Sequence, residues 1–285
     1  PAGQQFETHD NPADRFPFAY STCYDPITKK SDSILKNPET DPFVVHTQTS
    51  TEYWQRRGSL VHTDVNGNDL EIPKNVRIYL WSSSQHFADP NNYSPSQGIC
   101  QQPQNAARTS MLFRAILDAL DDWASNGVLP PASQIPKRLD GTLVTYQEWN
   151  QQFPKIKGIN IPSQINELSY FNFSSEASSH ILDVIPPKLQ KRNAYPVLVP
   201  AVNDDGNEIA GVKVPMITAP LATYTGWNLR SKNYGENYMF LFNGSTIPFP
   251  ETKNDRLMSK DPRSSILERY PDSKAYCKEI IKAAK

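Results

Sequence analysis

Twenty-five prolines against twelve glycines, in a chain of 285 residues, set the strongest limit on what this sequence can build. Proline fixes φ and has no N–H to give to a ladder, so much of the chain must be ordered but irregular loop. Strands and helices are confined to the stretches where proline is sparse. Scarce glycine also works against phosphate-cradling loops: neither G-x-G-x-x-G nor G-x-x-x-x-G-K-[ST] occurs, so nucleotide-driven chemistry loses its support. Twenty-nine basic and thirty acidic residues leave a net charge of −1, without long blocks of either sign. A protein built on phosphate neutralisation carries a basic excess, so nucleic acid is not an expected partner. No apolar run reaches the roughly 18 residues a membrane span needs.

The length suits one large domain or two ordinary ones. Cys23, Cys100 and Cys277 are too far apart for a C-x-x-C motif, leaving one disulfide plus a free thiol, or three reduced thiols. N-x-[ST] sequons at Asn92, Asn172 and Asn243 permit a secreted protein. The sequence opens Pro1-Ala2-Gly3-Gln4-Gln5, with no initiator Met and no basic or apolar leader. A mature protein cut from a precursor could start this way, as could one chain of a processed pair. Compartment stays open, with a lean toward a secreted or periplasmic protein.

Residues 1–40 read as polar loop with short elements. Phe43-Val44-Val45-His46-Thr47-Gln48 is a β-branched run of strand length, followed by the polar Thr49-Ser50-Thr51-Glu52. A hairpin-like excursion is expected around Asn66-Gly67-Asn68. Asn75-Val76-Arg77-Ile78-Tyr79-Leu80-Trp81 is the clearest strand, and it runs out into Ser82-Ser83-Ser84-Gln85-His86. Thus each strand ends on a polar loop holding an ionisable residue. Leu112, Phe113, Ile116, Leu120 and Trp123 recur at helical steps, predicting a helix over 106–125, capped by Gly127 and stopped by Pro130-Pro131. Residues 131–195 show no strong period. A second hairpin is expected around Asp204-Asp205-Gly206, a capping box at Ser265-x-x-Glu268, and a last helix capped by Asp272.

The histidines are His9, His46, His62, His86 and His180; none forms H-x-x-x-H or H-E-x-x-H, and no metal or other cofactor is expected. His86 stands apart by context. A histidine in the loop after one strand, with an acid after the preceding strand, suits a serine-hydrolase triad, in which the acid orients the imidazole and the imidazole takes the serine proton. In α/β-hydrolases the chain order is serine, acid, histidine, and Glu52 followed by His86 reproduces the last two members. Asp41 precedes the strand and Asp64 lies beyond the loop, so both suit the acid role less. The serine is missing. Gly58-Ser59-Leu60 and Gly244-Ser245-Thr246 lack the small-residue flanks of a nucleophile elbow and lie beyond the point where the acid belongs.

Several segments resemble the C-terminal half of a family of large α/β-hydrolase-domain proteins. They include Asp14-Arg15-Phe16-Pro17-Phe18, Ser50-Thr51-Glu52-Tyr53-Trp54, Ser59-Leu60-Val61-His62-Thr63-Asp64, and Val76-Arg77-Ile78-Tyr79-Leu80 running to Gln85-His86. Cys100-Gln101-Gln102-Pro103, Ala219 to Arg230, Ile247-Pro248-Phe249 and Asp261 to Ile266 fit as well. In that family the elbow resembles G-F-S-Q-S-G and precedes the point where this chain begins. The resemblance therefore implies that the nucleophile and the oxyanion-hole donors lie upstream. It makes His86 the general base and Glu52 its orienting acid. The family often has Gly-Thr-Gln-His near the histidine, where this chain has Ser83-Ser84-Gln85-His86: a glycine is lost and the imidazole kept.

Tyr53 and Trp54 would line the substrate pocket or pack against the core. Tyr224-Thr225-Gly226-Trp227-Asn228 would wall the pocket, with Trp227 toward substrate, or clamp the chain onto the open sheet. Arg56-Arg57 suits a substrate carboxylate or a solvated pair. The expected fold class is α/β: the C-terminal part of an α/β-hydrolase sheet with a long, Pro-rich, mostly irregular C-terminal extension. Residues 1–130 would hold the late strands, the acid and histidine loops and the last core helix, and residues 131–285 the extension. The expected function is acyl hydrolysis of a small-molecule ester, completed by an N-terminal half that carries the serine, from the same precursor or a separate chain. The alternatives are a non-catalytic α/β-hydrolase-like module and an independent carbohydrate- or protein-binding domain.

Overall fold

A computed structural model describes residues 16–87, 96–172, 179, 181, 184 and 188–285. His9, His180 and the Asn92 sequon lie outside them. In the early polar region β1 (Cys23–Asp25) and β2 (Lys30–Asp32) form a short antiparallel pair. The first expected strand forms as β3 (Val44–Thr49), followed by helix α1 (Ser50–Gln55), and the second as β4 (Val76–Trp81). β3 and β4 run parallel, in register from Val44↔Val76 to Thr49↔Trp81, so their C-terminal ends finish side by side. Parallel pairing needs a long crossover, here supplied by α1, a 3-10 turn at Gly58–Val61 and the excursion around Gly67. That excursion closes with a single antiparallel bridge, Thr63↔Asp69, rather than a full hairpin. The Asp64 carboxylate takes the N–H groups of Asn66 and Asn68 and holds the turn itself.

The far edge of β4 is occupied. Leu80 N–H donates to Gln134 O and Gln134 N–H to Ile78 O; one step on, Ser82 and Val212 repeat the pattern. The far edge of β3 has no backbone partner among the described residues. Helix α2 (Ser110–Asn126) forms close to where its apolar period predicts. Gly127 adopts a left-handed φ of 70°, with its N–H on Trp123 O, the single closing bond of an αL cap, and that of Val128 on Asp122 O. Its apolar stripe is only partly covered. Trp123 is buried, stacked on Phe43 at 4.5 Å with the Arg77 guanidinium over it, while Met111, Phe113 and Leu117 stay exposed.

Beyond it come β5 (Leu143–Val144), α3 (Tyr146–Gln152), β6 (Leu168–Asn172), β7 (Lys188–Tyr195) and β8 (Val199–Pro200). β6 pairs with β7, and β5 with β8, both antiparallel. Helix α3 starts at a capping box between Thr145 and Glu148 but buries only Trp149, which is why no period announced it. The turn at Asp204-Asp205-Gly206 is closed by the antiparallel bridge Val202↔Glu208. After α4 (Pro215–Thr218), β9 (Ala222–Tyr224) and β10 (Thr246–Pro248) pair antiparallel. The chain ends in α5 (Lys253–Ser259), α6 (Ile266–Arg269) and α7 (Ser273–Ala283), with the expected capping box at Ser265 and cap at Asp272 both formed.

The largest core cluster draws on both sides of position 130. Trp54, Trp149 and Trp227 meet edge to face, 4.6 to 6.1 Å apart, with Phe153 against Trp227. Among the described residues no helix is long and apolar enough to cross a membrane.

Candidate active site

The site begins with a helix cap. The polar stretch after the first strand was expected to be a loop; instead Thr49 is the N-cap of α1, and Glu52 stands in that helix's first turn. Thr49-x-x-Glu52 is a capping box, in which the glutamate reaches back to satisfy an N–H that the helix leaves unpaired. Glu52 Oε2 accepts the Thr49 N–H at 2.6 Å and the Thr49 hydroxyl at 2.5 Å. Its other oxygen, Oε1, lies 2.5 Å from His86 Nδ1. One carboxylate thus ends the helix with one oxygen and meets the imidazole with the other.

His86 is held as firmly by main chain as by side chain. Its N–H donates to Thr51 Oγ1 at 3.2 Å, and the Thr51 hydroxyl donates to Gly226 O at 2.8 Å. Just before it, Gln85 Oε1 accepts the N–H groups of Gly244 and Asn105, and Gln85 Nε2 donates to Phe87 O. The imidazole stacks on Phe242, ring centres 4.4 Å apart, and meets the edge of Phe87 at 4.8 Å. Phe242 sits at a φ of 61°, rare for an aromatic residue, with its N–H on Gln55 Oε1 and the Arg56 guanidinium over its ring. The His86 side chain is 40% exposed. With Nδ1 on the carboxylate, Nε2 is the ring atom left for a reacting group, and no described residue bonds to it.

Two strand ends therefore bring together the acid and the base that the sequence singles out, while the nearby hydroxyls are used elsewhere. Ser50, Ser83, Ser84 and Ser245 are buried and bonded to other groups, none to the His86 ring. Burial pushes the Cys100 thiol up to about 11, and Cys23, Cys100 and Cys277 are all unpaired. Across residues 15–285 the sequence matches the alpha/beta hydrolase domain family. The chain belongs to that family. No match was found among curated proteins or among solved structures.

Placed within the hydrolase-domain family, the remaining residues of interest divide sharply. Tyr53 is fully buried, its hydroxyl 2.8 Å from His62 Nε2, and Trp54 and Trp227 are each 2% exposed in the aromatic core. The structure therefore puts these three in the interior and not on an open wall. Gly226 lies so close to α1 that a Cβ there would stand 2.4 Å from the Ser50 carbonyl carbon and 2.6 Å from Thr51 N. The Tyr224-to-Asn228 segment clamps the start of the acid-bearing helix. Arg57 bonds to Asn166 and to Glu167 O. His46 bonds to Tyr20 and Gln48, and burial lowers the His62 imidazole to about 4. Among the described residues no group of three His, Cys, Asp or Glu side chains is placed to hold a metal ion.

Sequence reasoning missed Thr49, Thr51 and Phe242. The same S/T-x-x-E pattern that announced Ser265–Glu268 was present at Thr49–Glu52. Nothing local announces Phe242, which reaches the imidazole from a part of the chain more than 150 residues away.

Proposed function

We propose that this chain supplies the acid and the histidine of a serine ester hydrolase, with the nucleophile on an upstream segment or a second chain. The observation that carries the reading is the Glu52–His86 contact at the ends of adjacent parallel strands, on an imidazole whose side chain is 40% exposed. In the first half-reaction the serine oxygen attacks the ester carbonyl carbon while its proton passes to His86 Nε2. The C–O bond to the alcohol then breaks as that proton is delivered to the leaving oxygen, giving an acyl-enzyme. Water repeats the sequence, losing a proton to His86 and releasing the acid. Glu52 keeps Nδ1 protonated and stabilises the imidazolium formed in both steps, and the Phe242 ring face adds to that stabilisation.

An upstream half is supported by the far edge of β3, which has no backbone partner among the described residues. A two-stranded parallel sheet rarely stands alone, because such sheets are covered on both faces and continue sideways. A preceding strand on that edge, with a helix-bearing layer over Phe113 and Leu117, would complete it and bring an elbow serine and oxyanion-hole donors toward His86. Residues 131–285 are in this reading an extension that packs on the hydrolase core. A cleft of about 1090 Å3, lined by Gln55, Asn166, Arg230, Tyr238 and Leu241 among others, adjoins the imidazole's Phe242 platform through Gln55 and takes part of the substrate. The reading is tested by hydrolysis of p-nitrophenyl acetate by the full-length protein. His86→Ala is expected to lower kcat by roughly a thousandfold or more. Unchanged turnover in that variant would overturn the role given to His86, and no turnover in the parent protein would leave the non-catalytic module as the better reading.

A further inference from the structure

We propose that Glu208 is the positioning residue that locks the acid loop to the histidine loop; this deepens the acid–histidine reading above and rests on it. Glu208 is 125 residues downstream of Ser83 and 158 downstream of Ser50, yet its carboxylate touches both. Oε2 accepts the Ser83 N–H at 2.6 Å and the Ser50 hydroxyl at 2.7 Å. Ser50 Oγ in turn accepts the Ser84 N–H at 3.1 Å, and the Glu208 N–H donates to Ser83 Oγ at 2.8 Å. Ser50 begins the helix that carries Glu52, and Ser83 and Ser84 begin the loop that carries His86. The carboxylate therefore joins the two segments at points two residues before Glu52 and three residues before His86.

Three further observations give this junction its purpose. Ser83 holds a left-handed φ of 54°, where an L-residue is strained unless its surroundings determine it, and Glu208 bonds it at both backbone N–H and side chain. The glutamate itself is rigidly mounted. Its turn is closed by the Val202↔Glu208 bridge, and the neighbouring Asn207 bonds the backbone of Ala222 and Tyr224. Finally, Glu208 is 5% exposed, and burial pushes its carboxyl up to about 7. A buried carboxyl group is costly to keep, and an apolar residue would fill the volume without that cost but could accept neither the Ser83 N–H nor the Ser50 hydroxyl.

The test uses the full-length protein and the rate at which a fluorophosphonate probe labels it, followed across pH. Glu208→Ala is expected to slow labelling roughly ten- to hundredfold. Glu208→Gln keeps a carbonyl oxygen able to accept both bonds and is expected to recover most of that loss. Ser50→Ala removes the other half of the junction without emptying a large buried site, so it remains readable if Glu208→Ala fails to fold. It too should slow labelling, and the double variant should be no slower than the slower single. Parental rates in Ser50→Ala, or losses that multiply in the double variant, would overturn the proposal. A parent that is not labelled would count against the serine reading alone. The junction would then be read from the His86 imidazole by NMR, whose ring resonances should shift or broaden in Ser50→Ala and Glu208→Ala if the Glu52–His86 contact loosens. Unchanged ring resonances in both would overturn it.

Discussion

At the scale of single residues, the site depends on side chains that do two things at once. Glu52 closes a helix and faces His86; Thr51 carries the His86 N–H and bonds Gly226 O. Glu52→Gln preserves shape but can present its amide N–H where Nδ1–H must donate, which favours the wrong imidazole tautomer. Ester turnover by the full-length protein should fall by roughly a thousandfold or more, with little change in KM. A loss confined to KM would assign Glu52 to binding instead. Gly226→Ala would drive a methyl group into the α1 backbone and should cost about 1–3 kcal/mol, read as a lowered urea midpoint at unchanged slope. The pairing of His86 with Glu52 was legible because both follow clear strands, and parallel pairing of those strands sets their ends side by side. Glu208 was not, since only the folded chain brings residue 208 beneath residues 50 and 83.

At the scale of elements, the informative unit is β3–α1–β4. The two strands were legible from β-branched runs, and α2 from its period and Gly127. Helix α1 was not, because its six residues are too few to show a period and five of them are buried. Its capping box was the available signal. Thr49→Ala should therefore cost about 1 kcal/mol of stability and also slow ester hydrolysis, because Glu52 Oε2 loses its hydroxyl partner. Normal turnover in a destabilised Thr49→Ala protein would separate the cap from the catalysis. The exposed side of α2 makes a different prediction. If an upstream layer covers that face, replacing Phe113 and Leu117 with glutamate should lower the melting temperature of the full-length protein by several degrees. An unchanged melting temperature would mean that no upstream layer covers that helix.

On the scale of the whole molecule, two buried titratable groups shape the pH dependence of stability. His62, held neutral by burial down to about 4, binds its proton in the unfolded chain first. Stability is therefore fully present above about pH 6.5 and lost as pH falls toward 4, by on the order of 3 kcal/mol. Glu208 acts in the opposite sense: its folded carboxyl stays protonated up to about 7, so its contribution is lost as pH rises through that value. His62→Gln should flatten the acid limb of a melting-temperature profile, and Glu208→Gln the limb between pH 5 and 8. The aromatic core could not be read from the sequence, because Trp54, Trp149 and Trp227 come from three distant segments with no shared period. The most direct test of the central claim is fluorophosphonate labelling of the full-length protein, with peptide mapping of the adduct and His86→Ala as the comparison. The account predicts one labelled serine upstream of this chain and labelling lost in the variant. An adduct within residues 1–285, or equal labelling without the imidazole, would contradict it.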